Sequence, residues 1–267
     1  MSRRISFLIC GAQKSGTSAL HDYLQHHPQL DLPSVKELHL FDNEQWDWSD
    51  AGLDRLDAHT AHHFQRTDRV CGEATPVSLW WGPAMERIWR YNPAMRLIAI
   101  LRNPITRAYA NWRMEQLKGR DTGAMALTLE HEEQRCREAL PLQHRVRSYL
   151  SRGLYSEQIR RVWRLFPRDQ LLLLRQEELL QDPATTLERV YAHIGVDSIP
   201  FKGAQSVISW RSEPTAREGQ VLPHSTDIPS SPPPEVRAAL QQLYAPQIAE
   251  LEIMLGWDLQ HWMTATR

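Results

Sequence analysis

Apolar residues follow two rhythms along the chain. Short continuous runs stand at 5–10 (ISFLIC), 96–101 (RLIAIL) and 170–175 (QLLLLR). Runs of this kind suit central parallel strands covered on both faces. Between them the apolar positions recur at helical spacing, which predicts helices over 17–27, 53–66, 83–91, 104–119, 124–139, 143–151, 155–166 and 184–194. The stretch LFPRDQLLLLRQEEL reads as a helix stop, a turn, a strand and a new helix start. Strands alternating with helices imply an α/β sheet with right-handed crossovers, whose ligands gather at the carboxyl ends of the strands. Residues 209–234, polar and proline-rich, break the rhythm. A loop of that length is either disordered or a lid over a site. An amphipathic helix resumes over 235–255, and there is no internal repeat.

The first run feeds directly into chemistry. FLICGAQKSGTSAL, residues 7–20, is a strand, a glycine turn and a helix start. Gly11 and Gly16 keep the spacing of the nucleotide loop G-x-x-x-x-G-K-[ST], but Thr17 and Ser18 follow where lysine is usual, and Lys14 sits inside the loop. Backbone N–H groups from 12 to 18, with the positive end of the next helix, make an anion site for a phosphate. An ordinary strand–turn–helix would need only the glycines. A lysine and three hydroxyls in the same turn (Ser15, Thr17, Ser18) favour the anion.

The second run ends in Arg102, in LIAILRNPITRAYANW (97–112). The corresponding strand of a loop-type ATPase ends in an aspartate that holds magnesium. A guanidinium there binds phosphate directly and repels a metal ion. The sheet edge is therefore expected to carry two phosphate sites, one at Lys14 and its loop, one at Arg102 and the helix begun by Pro104.

Charge and cysteine content narrow the partners. The 31 lysines and arginines nearly balance 32 aspartates and glutamates, so no global basic field points to nucleic acid. Cys10, Cys71 and Cys136 are odd in number and form no C-x-x-C pair, which fits a reduced cytoplasmic protein. No segment approaches the roughly 20 apolar residues of a membrane span. The run after Arg3 and Arg4 enters a glycine turn without a cleavage signature. At 267 residues the chain reads as one domain, 1–267.

GAQKSGTSAL together with LRNPITRAYANW resembles the sulfotransferases that use 3′-phosphoadenosine 5′-phosphosulfate (PAPS), particularly their carbohydrate, heparan-type branch and its bacterial relatives. KELHLFD (36–42), GEATP (72–76) and the pattern of 152–183 resemble further segments of that branch. The resemblance covers roughly residues 5–200 plus the terminal helix and implies a P-loop-like α/β fold with a central parallel sheet of about five strands. It implies that Gly11, Gln13, Lys14, Ser15, Gly16, Thr17 and Ser18 grip the 5′-phosphate, that Arg102 holds the 3′-phosphate, and that no metal is needed. Lys14 then stabilises the charge that grows on the departing phosphate, leaving PAP as product. Glu37 is the expected general base with His39 as partner or alternative, the two placed on one face of a strand. Lys36 is expected to help bind the sulfate group, and Glu73 to orient either the acceptor or Lys14, or else to pair at a helix N-cap.

There are departures. The family's serine eight residues after the arginine is Ala110 here, and Arg107 is either its substitute or a structural pair. Arg211 and Arg217 lie where the family carries basic residues over the nucleotide, but match no clear motif. Trp46, Trp48, Trp80 and Trp81 cluster near the expected base, where indole faces either stack on a carbohydrate or other small-molecule acceptor or fill core. QWDWSD is polar enough to put Trp46 and Trp48 at the surface. Two rival functions share the first loop: a nucleotide or small-molecule kinase, which would need the missing lysine and carboxylate, and a non-catalytic nucleotide-binding module.

Overall fold

The computed structural model of the chain describes residues 4–49, 54–65, 68–201 and 228–264. They form two compact units, one from the described residues of 4–101 and 160–201, the other from those of 102–159 and 228–264.

The first unit holds a parallel sheet of five strands: β1 (Phe7–Gly11), β2 (Leu30–Asp31), β3 (Val70–Ala74), β4 (Arg96–Leu101) and β5 (Leu171–Arg175), in the order β2-β3-β1-β4-β5. All three expected strands are present. β2 and β3 were not foreseen, since β2 has two residues and β3, VCGEA, carries a glycine and a glutamate inside it. β1 is buried throughout because both faces are covered. On one face Phe7, Ile9, Ile98, Ile100 and Leu174 pack against Leu20 and Leu24 of α1 (Thr17–Gln25), Leu179 of α8 (Gln176–Gln181) and Leu187, Val190 and Tyr191 of α9 (Pro183–Ile194). The alternate residues Leu8, Cys10, Leu97, Ala99 and Leu101 point to the other face and are equally buried. This unit also carries α2 (Asp54–Thr60), followed by a 3-10 turn at Ala61–His63, and α3 (Ala84–Tyr91).

In the second unit α4 (Pro104–Leu117) starts where the sequence expects it. Asn103 caps it by accepting from the Ile105 N–H, and its amide donates to the Trp262 carbonyl. The helix expected over 124–139 is two, α5 (Met125–Glu130) and α6 (Glu132–Glu138), broken at His131. No α-helix forms over 143–151; only a 3-10 turn begins at its end, Ser151–Gly153. There the Glu132 carboxylate accepts the N–H groups of Tyr149, Leu150 and Ser151, which replaces the i−4 carbonyls a helix would use. The long α10 (Pro234–Leu255) buries Leu240, Tyr244, Ile248 and Leu251, and α11 (Gln260–Thr264) buries Trp262. α7 (Tyr155–Trp163) runs from the second unit into residues of the first. The expected loop over 209–234 lies mostly outside the described residues, as do Arg211 and Arg217.

Candidate active site

The turn after β1 is shaped by backbone conformation. Gly16 lies in the left-handed region (φ 98°) and so does Lys14 (φ 70°), where a side chain is disfavoured. Alternating hands of this kind shape an anion-binding concavity, but not all the N–H groups expected from 12 to 18 are left to line it: that of Ala12 donates to the Ile100 carbonyl at 2.9 Å and that of Ser15 to the Ala12 carbonyl at 3.2 Å. The first N–H groups of α1 have no intrahelical acceptor and add to it. Gly11 admits no side chain, because a Cβ there would meet the Leu79 side chain at 2.5 Å. Ser15 is fully buried, and its hydroxyl has no hydrogen-bond partner among the described residues. An unsatisfied buried hydroxyl inside an N–H-lined turn is what an oxyanion fits.

β3 is the neighbour of β1, with Ala74 in register with Ile9. Three consecutive residues at its exit take up the backbone of the KELHLFD segment. The Glu37 N–H donates to the Ala74 carbonyl (3.1 Å), the Leu38 N–H to Glu73 Oε1 (3.0 Å) and the His39 N–H to Thr75 Oγ1 (3.3 Å). The Thr75 hydroxyl in turn donates to Glu73 Oε1. The segment is not the strand expected. It has no regular structure, and Glu37 (φ 65°) and His39 (φ 52°) are both left-handed. Left-handed backbone at non-glycine residues persists only where surrounding bonds hold it. All three residues expected to do the chemistry, Lys14, Glu37 and His39, are in this state.

The side chains still meet. Lys36 Nζ donates to Glu37 Oε1 at 2.8 Å, and His39 Nε2 lies 3.7 Å from Glu37 Oε2. His39 Nδ1 is 2.9 Å from Asp42 Oδ2, whose carboxylate is wholly buried. The hydrogen bond that His39 donates to Asp42, then the charges of Asp42, Glu37 and Glu73, raise the His39 pKa against the opposing effect of burial. A histidine so held keeps its proton to higher pH than a free imidazole. Asp42 escaped the sequence reading, although K-E-x-H-x-x-D places it three residues after His39.

Glu73 is a core residue and not a surface group. It is 1 % exposed, its Oε2 has no hydrogen-bond partner among the described residues, and burial pushes its pKa up to about 7. It caps no helix. Trp80 and Trp81 are core residues, 5 % and 1 % exposed, so of the four tryptophans only Trp46 and Trp48 are half-buried. Their rings stack at 6.1 Å and 21°. Trp48 donates to the Asn43 carbonyl, next to Asp42, and the Arg87 guanidinium lies 4.3 Å from its ring centre. Arg87 also pairs with both oxygens of Glu44 at 2.7 Å.

In the second unit, Arg102 follows the last residue of β4. Its Nε donates to Thr106 Oγ1 at 2.9 Å, and Tyr155 Oη donates to its carbonyl. Ala110, half-exposed, lies one turn beyond Thr106 on α4. Arg107 is no substitute for the absent serine. It is fully buried and donates to the Tyr149 carbonyl and to Asn111 Oδ1. Among the described residues no group of three or more His, Cys, Asp or Glu is placed to hold a metal ion.

Residues 4–207 match the sulfotransferase domain family. The chain is 29 % identical over 211 residues to human bifunctional heparan sulfate N-deacetylase/N-sulfotransferase 2, covering 71 % of this chain and 22 % of that protein. It is 29 % identical over 195 residues to mouse heparan sulfate glucosamine 3-O-sulfotransferase 6, covering 72 % of this chain and 52 % of the relative. The chain thus spans about a fifth to a half of the length of these relatives. A sulfotransferase crystal structure from Alicyclobacillus acidocaldarius is similar over 97 % of this chain and 98 % of that one, with a TM-score of 0.74 and 27 % identity. A mouse sulfotransferase complexed with PAP shares the fold at 14 % identity and a TM-score of 0.52, over 94 % of this chain and 86 % of that one.

Proposed function

The chain belongs to the sulfotransferase family, and from that premise we propose that it transfers a sulfuryl group from PAPS, without metal, to a hydroxyl or amine of a carbohydrate or other small acceptor. The observation that carries this reading is the junction of two strand exits. The N–H-lined loop with Lys14 and the unsatisfied Ser15 hydroxyl leaves β1, and the Glu37–His39–Asp42 group is bonded to the exit of its neighbour β3. Gly11, Gln13, Ser15, Gly16, Thr17 and Ser18 would hold the 5′-phosphate, and Arg102 with Thr106 the 3′-phosphate. PAPS, when bound, supplies the sulfuryl group and a phosphate leaving group. Lys14 brings positive charge to where negative charge develops, so its interaction is strongest in the transition state. Glu37 takes the acceptor's proton, and protonated His39, fixed by Asp42, orients it. Trp46 and Trp48, half-buried and packed on each other, would border the acceptor, and Lys36 places a cation beside the base. A cytoplasmic location belongs to the same reading, supported by three cysteines that form no disulfide. The kinase alternative drops out with the family.

The test is transfer of ³⁵S from labelled PAPS to a panel of sugars, phenols and amines in EDTA, beside calorimetry with PAP. Metal-free PAP binding and label transfer are expected, with transfer strongly reduced in Lys14→Ala at saturating PAPS. A strict Mg²⁺ requirement, or preference for ATP over PAP, would overturn the reading.

A further inference from the structure

The Glu37–Leu38–His39 backbone owes its shape to GEAT, residues 72–75. Each of its three consecutive N–H groups ends on one of three consecutive residues: Glu37 on Ala74, Leu38 on Glu73 and His39 on Thr75. Two of the three run to one atom. Glu73 Oε1 accepts from Leu38 directly and from His39 through the Thr75 hydroxyl. No helix or strand hydrogen bond supports this stretch, and two of its residues sit at positive φ. Single left-handed non-glycine residues are costly, so something must hold them. Glu73 is otherwise hard to explain. A buried carboxyl with one unsatisfied oxygen is expensive to keep in a fold.

We propose that Glu73 is a positioning residue: its buried carboxyl, with Thr75, holds the 37–39 backbone in the left-handed form that brings His39 onto Asp42 and beside Glu37. This rests on the proposed catalytic role of that group, and it assigns Glu73 a place beneath the site, not in contact with acceptor. Asp42 enters the arrangement from the same segment and Thr75 from β3's exit. Lys36 on Glu37 completes the charged groups around it.

The experiment reads His39 itself and needs neither donor nor acceptor. The imidazole of His39, identified by its loss in His39→Gln, is titrated by NMR in the wild-type protein and in Glu73→Ala, Glu73→Gln and Thr75→Val. Groups facing His39 are Asp42, Glu37 and Glu73. If Glu73 positions the segment, Glu73→Ala releases His39 from Asp42 and its titration falls from the raised value toward the ordinary 6.5. Glu73→Gln, which keeps an acceptor oxygen for Leu38 and Thr75, retains most of the elevation, because Glu73's own charge is the smallest contribution to it. Thr75→Val falls in between. PAP affinity by calorimetry stays within about twofold throughout. Unchanged His39 titration in Glu73→Ala and Thr75→Val overturns the proposal, and so does a Glu73→Gln fall as large as that of Glu73→Ala, which would mean charge alone matters. Should Glu73→Ala not fold, Thr75→Val and Glu73→Gln decide it. Failure of the wild-type protein to bind PAP would instead sink the sulfuryl-transfer reading and leave the His39 result standing.

Discussion

At the residue scale, the division of labour proposed for Glu37 and His39 is argued from their neighbours. Asp42 holds His39 at 2.9 Å and raises its pKa, so imidazole is the weaker candidate for taking a proton near neutrality. Glu37 sits between Lys36 Nζ at 2.8 Å and His39 Nε2 at 3.7 Å, one partner on each oxygen. Glu37→Gln keeps the shape and is expected to lower turnover by roughly 10²–10⁴-fold, the usual worth of a general base. Donor affinity should be preserved. His39→Ala should reduce turnover less, and its sign in pH is distinctive. Wild-type His39 loses its proton only above its ordinary value, so orientation by imidazolium weakens on the alkaline side, and His39→Ala should remove that alkaline limb. Steady-state rates against pH with PAPS and a working acceptor check both. Near-normal turnover in Glu37→Gln would move the base to His39.

At the element scale, the loop after β1 depends on how closely Leu79 approaches. Leu79 N–H donates to the Cys10 carbonyl at 2.8 Å, and its side chain covers Gly11. Gly11→Ala would put a methyl group 2.5 Å from Leu79 Cδ2 and 2.7 Å from its Cβ, the second of which cannot swing away. Destabilisation of about 1–3 kcal/mol is expected, with weaker PAP binding as the loop shifts. Denaturant melts and calorimetry on the same variant measure both; an unchanged pair would show that the strand exit tolerates movement. The same scale explains what was legible in the sequence. β1, β4, β5 and most helices write themselves in long apolar periods, and the glycine–lysine loop and Arg102 lie at their ends. β3 and the 37–39 turn do not. β3 is made by pairing with β1 and β2, and the 37–39 turn by bonds 35 and 36 residues apart, Leu38 to Glu73 and His39 to Thr75, which no local period records. Glu132 drawing the N–H groups of 149–151 away from a helix is the same effect in the other unit. A residue type in a motif announced Glu37 and His39, but only the folded arrangement reveals Asp42 as their partner and Glu73 as buried.

At the scale of the whole molecule, a buried acid such as Glu73 links stability to pH. Its pKa moves from an ordinary 4.5 to about 7, chiefly because burial disfavours the charged form. Between those values the folded protein binds the proton that the unfolded chain has released. Stability therefore falls as pH rises through this window, the direction opposite to that of a salt-bridged carboxylate. Below about pH 4.5 both states are protonated and the effect vanishes; above about 7 both are ionised and the full penalty applies. At about 1.4 kcal/mol per pH unit of displacement, that penalty is about 3 kcal/mol. Glu73→Gln keeps an acceptor for Leu38 and Thr75 and carries no charge, so its stability should lack this term. Relative to wild type, the variant should gain stability as pH is raised from 5 to 8, read as a growing difference in guanidinium midpoints at fixed ionic strength. Other titrating groups, His39 foremost, are common to both proteins and largely cancel in the difference. A constant offset across that range would mean Glu73 is ionised throughout, paired with a cation in the folded protein, and its carboxylate would then hold the 37–39 segment by charge as well as by hydrogen bonds.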